Sequence, residues 1–398
     1  MNGKSSRKLL FTILSISLLT VMAGAAMAPA LWAVKAHFAD RGDLLVQLIV
    51  SLPALFIILT NLLFSRICRI MKTRAIAISG LVLYCVAGAG AFLLDDIWAI
   101  LVLRALLGVS VGMIMPLSTG LLAYWFPPEE QSRLMGLSAA MNQMGGVVAT
   151  LIAGVLAKAG WNYAFLVYLV GLLVLVPVIA FLPDEDLSKG NGGSKGPGLG
   201  ANLRRFYPSV LGMLCLMTVF FIFPTNFSAI TRATVPSLGP IAVTIIMVAL
   251  DVVAFLVGLV FGKIMEWFRI GVKYIAPVGF LAGYLLFALS HSFGDSVAML
   301  LSGCLLIGIA NGVGVPYLNT IASIKGGKDA ATTVMPLLSA ALYMGQFISP
   351  LVVTPLSHIF FGENPAGPYW TGACLCVIFL LEVFLTRRFQ SLPPKQAD

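Results

Sequence analysis

Long apolar runs separated by short polar stretches make up most of the chain. A helix needs about 20 apolar residues to cross about 30 Å of hydrocarbon, and the runs reach that length. The pattern therefore predicts an all-α membrane protein with about twelve transmembrane helices. We expect them near residues 9–34, 44–64, 75–94, 98–125, 136–157, 163–182, 210–230, 241–262, 274–293, 297–323, 334–360 and 367–385.

A polar, Gly-rich stretch interrupts the apolar runs near the centre of the chain, at residues 183–209. Because it lacks helical patterning, we expect a flexible cytoplasmic linker there. The linker would separate an N-terminal six-helix bundle, residues 1–182, from a C-terminal six-helix bundle, residues 210–398.

The composition is typical of a protein that lies mostly within a lipid bilayer. Hydrophobic residues make up 59% of the chain, charged residues 10%, and the mean hydropathy is +0.99. The first apolar run follows Lys4, Arg7 and Lys8, as a cleavable secretory signal would. It is long enough for a membrane span, so we interpret it as the first transmembrane helix.

The 25 Lys and Arg residues are distributed unequally around the predicted helices. With both termini in the cytoplasm, 20 of them lie on the cytoplasmic side, four lie outside and Arg104 lies within a helix. Since basic residues are retained in cytoplasmic loops, we predict a multi-pass protein of the inner or plasma membrane with cytoplasmic termini. This topology and contact with anionic lipid explain the net charge of +9, so no nucleic-acid partner is expected.

Two predicted helices share a Gly-x-x-x-Gly-x-x-x-Pro pattern at an offset of 200 residues. The residues are Gly108, Gly112 and Pro116 in the fourth helix and Gly308, Gly312 and Pro316 in the tenth. The next helices agree at the same offset, residues 139–145 with residues 339–345. Such a repeat predicts two parallel six-helix halves, as in a transporter whose substrate site lies near the membrane midplane.

The loop after the second helix runs from Asn61 through Ser65 to Arg66, and the loop after the eighth repeats its pattern with an acid, Glu266. These loops resemble the Gly-x-Leu-x-Asp-Arg-x-Gly-Arg-Lys motif of the major facilitator superfamily, although Ser65 replaces the acid. The resemblance covers essentially the whole chain. It implies that Arg66 and Glu266 help to latch the cytoplasmic ends of helices, and a plain basic loop is the alternative.

Arg104, followed by Gly108, resembles a second motif of the family. A charge within a span costs roughly 2.5–3.5 kcal/mol and is retained where it meets a carboxylate, carbonyl, water or substrate. The resemblance implies a role in proton coupling or substrate binding; an Arg bonded to carbonyl groups is the alternative. The antiporter motif is matched only at Gly145 and Gly146, which indicate close helix packing.

Asp251 is the acid expected deep within a predicted helix. Phe255, Gly258 and Gly262 follow it at spacings of four, three and four residues, on the helix face that should contact protein or a cavity. Three roles are open: a group that takes up and releases a proton, a bridge to Arg104, or a contact for a cationic substrate.

Polar and aromatic residues within the spans predict an amphipathic cavity with few charges. They are Trp32, Gln47, Asn142, Gln143, Asn226, Asn311, Tyr317, Asn319, Tyr343 and Gln346. Each alone is equally explained by hydrogen bonding between helices. Together they favour a moderately hydrophobic substrate.

Enzymatic activity is not expected, since no phosphate-binding Gly-x-x-x-x-Gly-Lys-Ser/Thr sequence and no catalytic constellation occur. The spacings of the cysteines and histidines predict no metal site, no bound cofactor and no disulfide bond. The leading hypothesis is a monomeric, proton-coupled exporter of a small amphipathic molecule, resembling the drug/proton antiporter branch. The alternative is an importer or exchanger of an organic anion, with Arg104 binding its carboxylate.

Overall fold

The computed structural model describes residues 3–27, 34, 36–38, 43–185, 187, 199–235, 238, 240–290, 293 and 296–386. Regular structure in these ranges is helical. The helices of the first half are α1 (Gly3–Ala25), α2 (Asp43–Ile70), α3 (Thr73–Gly90), α4 (Ile97–Trp125), α5 (Pro128–Leu156) and α6 (Val170–Phe181). Those of the second half are α7 (Leu199–Phe220), α8 (Ile222–Thr234), α9 (Pro240–Phe268), α10 (Val272–Ser290), α11 (Val297–Gly326), α12 (Val334–Phe361) and α13 (Gly367–Leu385).

In the described part of the chain, eleven helical stretches are long and apolar enough to cross a membrane. The longest, Ala242–Ser290, contains two helices, α9 and α10, separated by the 3₁₀ segment Arg269–Gly271. The helices α7 and α8 instead contribute to one stretch, Leu199–Phe227. The prediction of an all-α membrane protein with twelve spans is thereby confirmed.

The stretch expected to be a flexible linker is partly ordered, which corrects the sequence interpretation. Helix α7 begins at Leu199, where Asn202 and Phe206 are buried while Arg204 and Arg205 are exposed. This first part of α7 is amphipathic, and its charged side lowers the hydropathy on which the boundary at residue 210 was based. Residues 188–198 lie outside the described residues.

The beginning of the predicted linker is anchored to the start of α3. Both the backbone N–H and the hydroxyl of Thr73 donate to the carbonyl oxygen of Glu185, at 3.0 and 2.9 Å. Lys72 forms an ion pair with Asp184 at 3.1 Å. The segment directly after α6 is therefore held against the start of α3.

Two compact units make up the chain, and they differ from the predicted bundles in two segments. Unit 1 comprises residues 1–128, 141–205 and 325–343, and unit 2 comprises residues 129–140, 206–324 and 344–398. Within unit 1, a Cβ added to Gly120 would lie 2.8 Å from the Cα of Ala331. Within unit 2, a Cβ added to Gly136 would lie 2.6 Å from the carbonyl oxygen of Gly258. These close approaches place the start of α5 in unit 2 and the start of α12 in unit 1.

The internal repeat appears in the way that glycines pack. Within unit 1, α4 lies against α2 at Gly112, where an added Cβ would be 2.5 Å from Thr60. Within unit 2, α11 lies against α9 at Gly312, where an added Cβ would be 2.8 Å from the carbonyl oxygen of Ala254. The same packing occurs one turn earlier, at Gly108 and at Gly308. Each Gly-x-x-x-Gly pattern therefore brings two helices into backbone contact.

Candidate functional site

Arg104 of α4 is a fully buried cation at the centre of an aromatic cluster in unit 1. Its Nη1 donates to the Tyr168 hydroxyl at 2.9 Å, and that hydroxyl donates to the carbonyl oxygen of Ala23 at 2.9 Å. Its Cζ lies 4.6 Å from the ring centroid of Phe165. No described carboxylate forms an ion pair with Arg104, so its charge contacts a phenol hydroxyl and two aromatic faces.

One edge of the Arg104 guanidinium is unpartnered. Nε and Nη2 are buried and have no hydrogen-bond partner among the described residues. These two donors point in parallel from the same edge and match the two oxygens of a carboxylate or phosphate. Because unpaired buried donors cost free energy, the site is chemically incomplete without an oxyanion or water.

A second tyrosine supports the one that holds Arg104. The hydroxyl of Tyr84 donates to the carbonyl oxygen of Leu19 at 3.3 Å. Its ring packs edge-on against Tyr168, with centroids 5.5 Å apart. Both tyrosines are fully buried and both bind carbonyl groups of α1. They fix the position of α1 beside the guanidinium.

Unit 2 repeats this tyrosine framework without the cation. The hydroxyl of Tyr284, 200 positions after Tyr84, donates to the carbonyl oxygen of Val219 at 2.6 Å. Its ring stacks on Tyr369 with centroids 6.4 Å apart. The position of Arg104 is occupied by Cys304, which is buried. Tyr284 thus binds a helix carbonyl group, as Tyr84 does, without a guanidinium at the position of Arg104.

Two predicted substrate residues, Asn142 and Tyr343, meet at Thr20 of α1 within unit 1. The Thr20 hydroxyl donates to Oδ1 of Asn142 at 2.8 Å, and the Thr20 carbonyl oxygen accepts from the Tyr343 hydroxyl at 3.3 Å. Thr20 was not predicted as a site residue, because a single threonine in an apolar run carries no signal of its own.

A sequence profile of the Major Facilitator Superfamily matches residues 13–350. This chain belongs to the Major Facilitator Superfamily. Among solved structures, the proton:xylose symporter XylE bound to 6-bromo-6-deoxy-D-glucose has a TM-score of 0.80 at 14% identity, over 97% of this chain and 96% of that one. At this identity the likeness shows the fold alone. Membership of the superfamily, shown by the profile match, makes the protein a membrane transporter and not an enzyme.

Curated relatives match a short part of the chain. Probable anion transporter 4, chloroplastic, of Arabidopsis thaliana is 34% identical over 96 residues, 23% of this chain and 18% of that protein. A putative inorganic phosphate cotransporter of Drosophila ananassae is 32% identical over 88 residues, 22% of this chain and 18% of that protein. The matches span less than a fifth of either relative. Their names do not support the expected drug/proton antiporter branch of the superfamily.

The latch implied by the family's first motif stays a prediction, and its two charged residues lie at the surface of the protein. Arg66 and Glu266 are both exposed, and neither makes an ion pair in the ranges that the structure describes. Ser65, in place of the motif's acid, offers Arg66 no carboxylate.

The antiporter-motif position Gly145 lies against the carbonyl oxygen of Leu18 in α1, as close helix packing requires. Gly146 is half-buried in α5, and Pro116 and Pro316 lie within α4 and α11.

The other predicted cavity residues have separate surroundings. The Asn226 amide donates to the Ile222 carbonyl oxygen of its own helix at 2.9 Å. Asn311 is buried, and its Oδ1 has no partner among the described residues. Tyr317 lines a small cavity of unit 2 with Lys273. Gln143, Asn319 and Gln346 are half-buried. Trp32 and the side chain of Gln47 lie outside the described residues.

Asp251 is half-buried in α9 of unit 2. In the part of the chain that the structure describes, its carboxylate makes no hydrogen bond or ion pair. The bridge interpretation is therefore without support. The stripe that carries it contacts protein, since Gly258 packs on Gly136 and Gly262 packs on Arg133. A free carboxylate on a protein-facing stripe is available to a proton or a ligand.

Replacing Asn61 by leucine should raise the unfolding temperature of the detergent-solubilised protein. Asn61, at the first position of the family motif, is 1% exposed, and neither amide atom has a partner among the described residues. Removing an unsatisfied buried amide should gain about 1–3 kcal/mol. The matched control is Asn226→Leu, which removes hydrogen bonds that exist and should not stabilise. A lower unfolding temperature for Asn61→Leu would contradict the prediction.

Proposed function

We propose that this transporter carries a small organic anion and binds its carboxylate at Arg104. The unpartnered Nε–Nη2 edge of a fully buried guanidinium carries the proposal. A carboxylate would satisfy both donors in parallel and neutralise the charge. Unit 2 supports it, because Tyr284 binds the carbonyl oxygen of Val219 and contacts Tyr369 while Cys304 stands at the position of the cation.

The surroundings of Arg104 define what else the anion would meet. Phe165 and Tyr168 offer aromatic faces, and Leu107 and Val111 lie buried on the same helix. An apolar portion beside the carboxylate would be favoured there. The relatives named for anion and inorganic phosphate transport support the charge class of the substrate.

Because Arg104 has no exposed surface, an anion reaches it only when helices separate. Alternating access supplies such a movement in transporters built from two repeats. The binding energy of the anion, made in a water-poor site, would then offset the cost of uncovering the guanidinium. We place the protein in the cell membrane with cytoplasmic termini, on the distribution of its basic residues.

The test is thermal unfolding of the purified protein with benzoate, acetate, inorganic phosphate or tetraphenylphosphonium. A ligand that binds the folded state raises the unfolding temperature with its concentration. We expect benzoate to stabilise more than acetate, and tetraphenylphosphonium not to stabilise. Uptake of labelled benzoate into proteoliposomes follows. Stabilisation by tetraphenylphosphonium alone would overturn the proposal in favour of cation export through Asp251.

Asp251 is proposed as the proton-coupling group. In proteoliposomes, Asp251→Asn should retain exchange of labelled benzoate for unlabelled benzoate but lose accumulation driven by a pH gradient. The amide fills the same space and cannot carry a proton, so only the coupled step is affected. Asp251→Glu is the control and should restore accumulation at least in part. Gradient-driven accumulation at the wild-type level in Asp251→Asn would rule out this role.

A further inference from the structure

The segment ahead of α6 has an unusual helix type. Trp161–Leu169 forms a 3₁₀ helix of nine residues, whereas runs of more than about three or four are uncommon and often mark hinges. Residues three apart lie on one face of a 3₁₀ helix. Phe165 and Tyr168 are such a pair, and their ring centroids lie 4.6 and 5.0 Å from Cζ of Arg104. The helix type therefore aims both rings at the guanidinium.

The Tyr168 hydroxyl donates one hydrogen bond and accepts another, and the direction of each is defined. The single hydroxyl hydrogen goes to the carbonyl oxygen of Ala23, so the oxygen is left to accept from Nη1 of Arg104. Ala23 lies in the last turn of α1, where carbonyl groups lack partners within the helix. The guanidinium plane is thereby fixed relative to α1.

We propose that Tyr168 is the positioning residue of the anion site and determines its selectivity. By holding Nη1, it leaves the Nε–Nη2 edge as the one with two free donors. A planar group with two oxygens fits that edge, whereas a halide meets the donors with a single atom. The site therefore selects carboxylates over halides. This inference rests on the proposed function of Arg104.

The repeat provides a matched control for the loss of the hydroxyl. Tyr369 follows Tyr168 by 201 positions and stacks on Tyr284, whereas Tyr168 packs edge-on against Tyr84. The Tyr369 hydroxyl is buried and has no partner in the described ranges. Tyr369→Phe thus removes the same group in unit 2, where Cys304 stands at the position of Arg104.

The experiment compares wild type, Tyr168→Phe and Tyr369→Phe by titrating benzoate and bromide against thermal unfolding. In Tyr168→Phe we expect benzoate to bind about tenfold more weakly, because a guanidinium freed at Nη1 is no longer fixed in orientation. The preference for benzoate over bromide should fall with it. Tyr369→Phe should change neither quantity.

Two results would overturn the proposal, and they are distinguishable. Benzoate affinity and selectivity within about twofold of wild type in Tyr168→Phe would leave Tyr168 a purely structural residue. Absence of any benzoate response in wild type would instead remove the anion site itself. Should Tyr168→Phe not fold, 4-fluorophenylalanine at position 168 keeps the ring, fills the space of the hydroxyl and offers Nη1 only a fluorine, which is a much weaker acceptor. It should shift the selectivity in the same direction, and an unchanged selectivity would count against the proposal.

Discussion

Arg104→Lys should weaken carboxylate binding by about 100-fold, although the positive charge is retained. Lysine presents a point charge on a flexible stem and has no planar edge, so it cannot reproduce the two parallel hydrogen bonds expected from Nε and Nη2. It also loses the bond to Tyr168 and the contact with Phe165. The measurements are the benzoate dissociation constant from thermal unfolding and the KM for benzoate uptake.

Two further variants separate binding from folding. Arg104→Met should abolish the benzoate response while unfolding at the wild-type temperature or above, because replacing a half-satisfied buried charge by an apolar side chain is often stabilising. Cys304→Ala, at the corresponding position of unit 2, should leave benzoate binding unchanged. If Arg104→Lys took up benzoate with the wild-type KM, the anion site would have to lie elsewhere.

Gly145→Ala should cause the largest loss of stability among conservative substitutions in unit 1. An added Cβ would overlap the carbonyl oxygen of Leu18, and a backbone atom in the middle of α1 cannot move aside unless α1 and α5 separate. Overpacking of this kind costs about 1–3 kcal/mol and sometimes more. We expect the unfolding temperature in detergent to fall by about 5 °C or more, with a matching loss of folded yield.

Gly24→Ala is the control for the glycine substitution. Gly24 lies in the last turn of α1, is exposed, and has no atom within 4 Å of an added Cβ. Since alanine favours the helix by up to about 1 kcal/mol over glycine, this variant should be neutral or slightly stabilising. Equal unfolding temperatures for Gly145→Ala and wild type would show that α5 does not pack on α1 as described.

The sequence by itself was enough to locate the membrane spans, to reveal the internal repeat and to identify Arg104 as a charge within a span. Hydropathy located the helices because a membrane span is a local property of about 20 consecutive residues. The end of the polar stretch was misplaced at α7, whose amphipathic first part combines Phe206 with Arg204 and Arg205. Arg104 was identifiable because a cation within an apolar run is costly wherever its helix faces.

Only the tertiary structure decided which groups surround that charge. Phe165 and Tyr168 come from one segment and Ala23, which binds Tyr168, from another, both distant in sequence from Arg104, and their meeting depends on how each helix is rotated about its axis. A nearly continuous apolar sequence does not encode that rotation, since every face of a span tolerates lipid. The meeting of Asn142 and Tyr343 at Thr20 was unpredictable for the same reason. Local composition is enough to select a helix, whereas a site requires the packing of several helices at once.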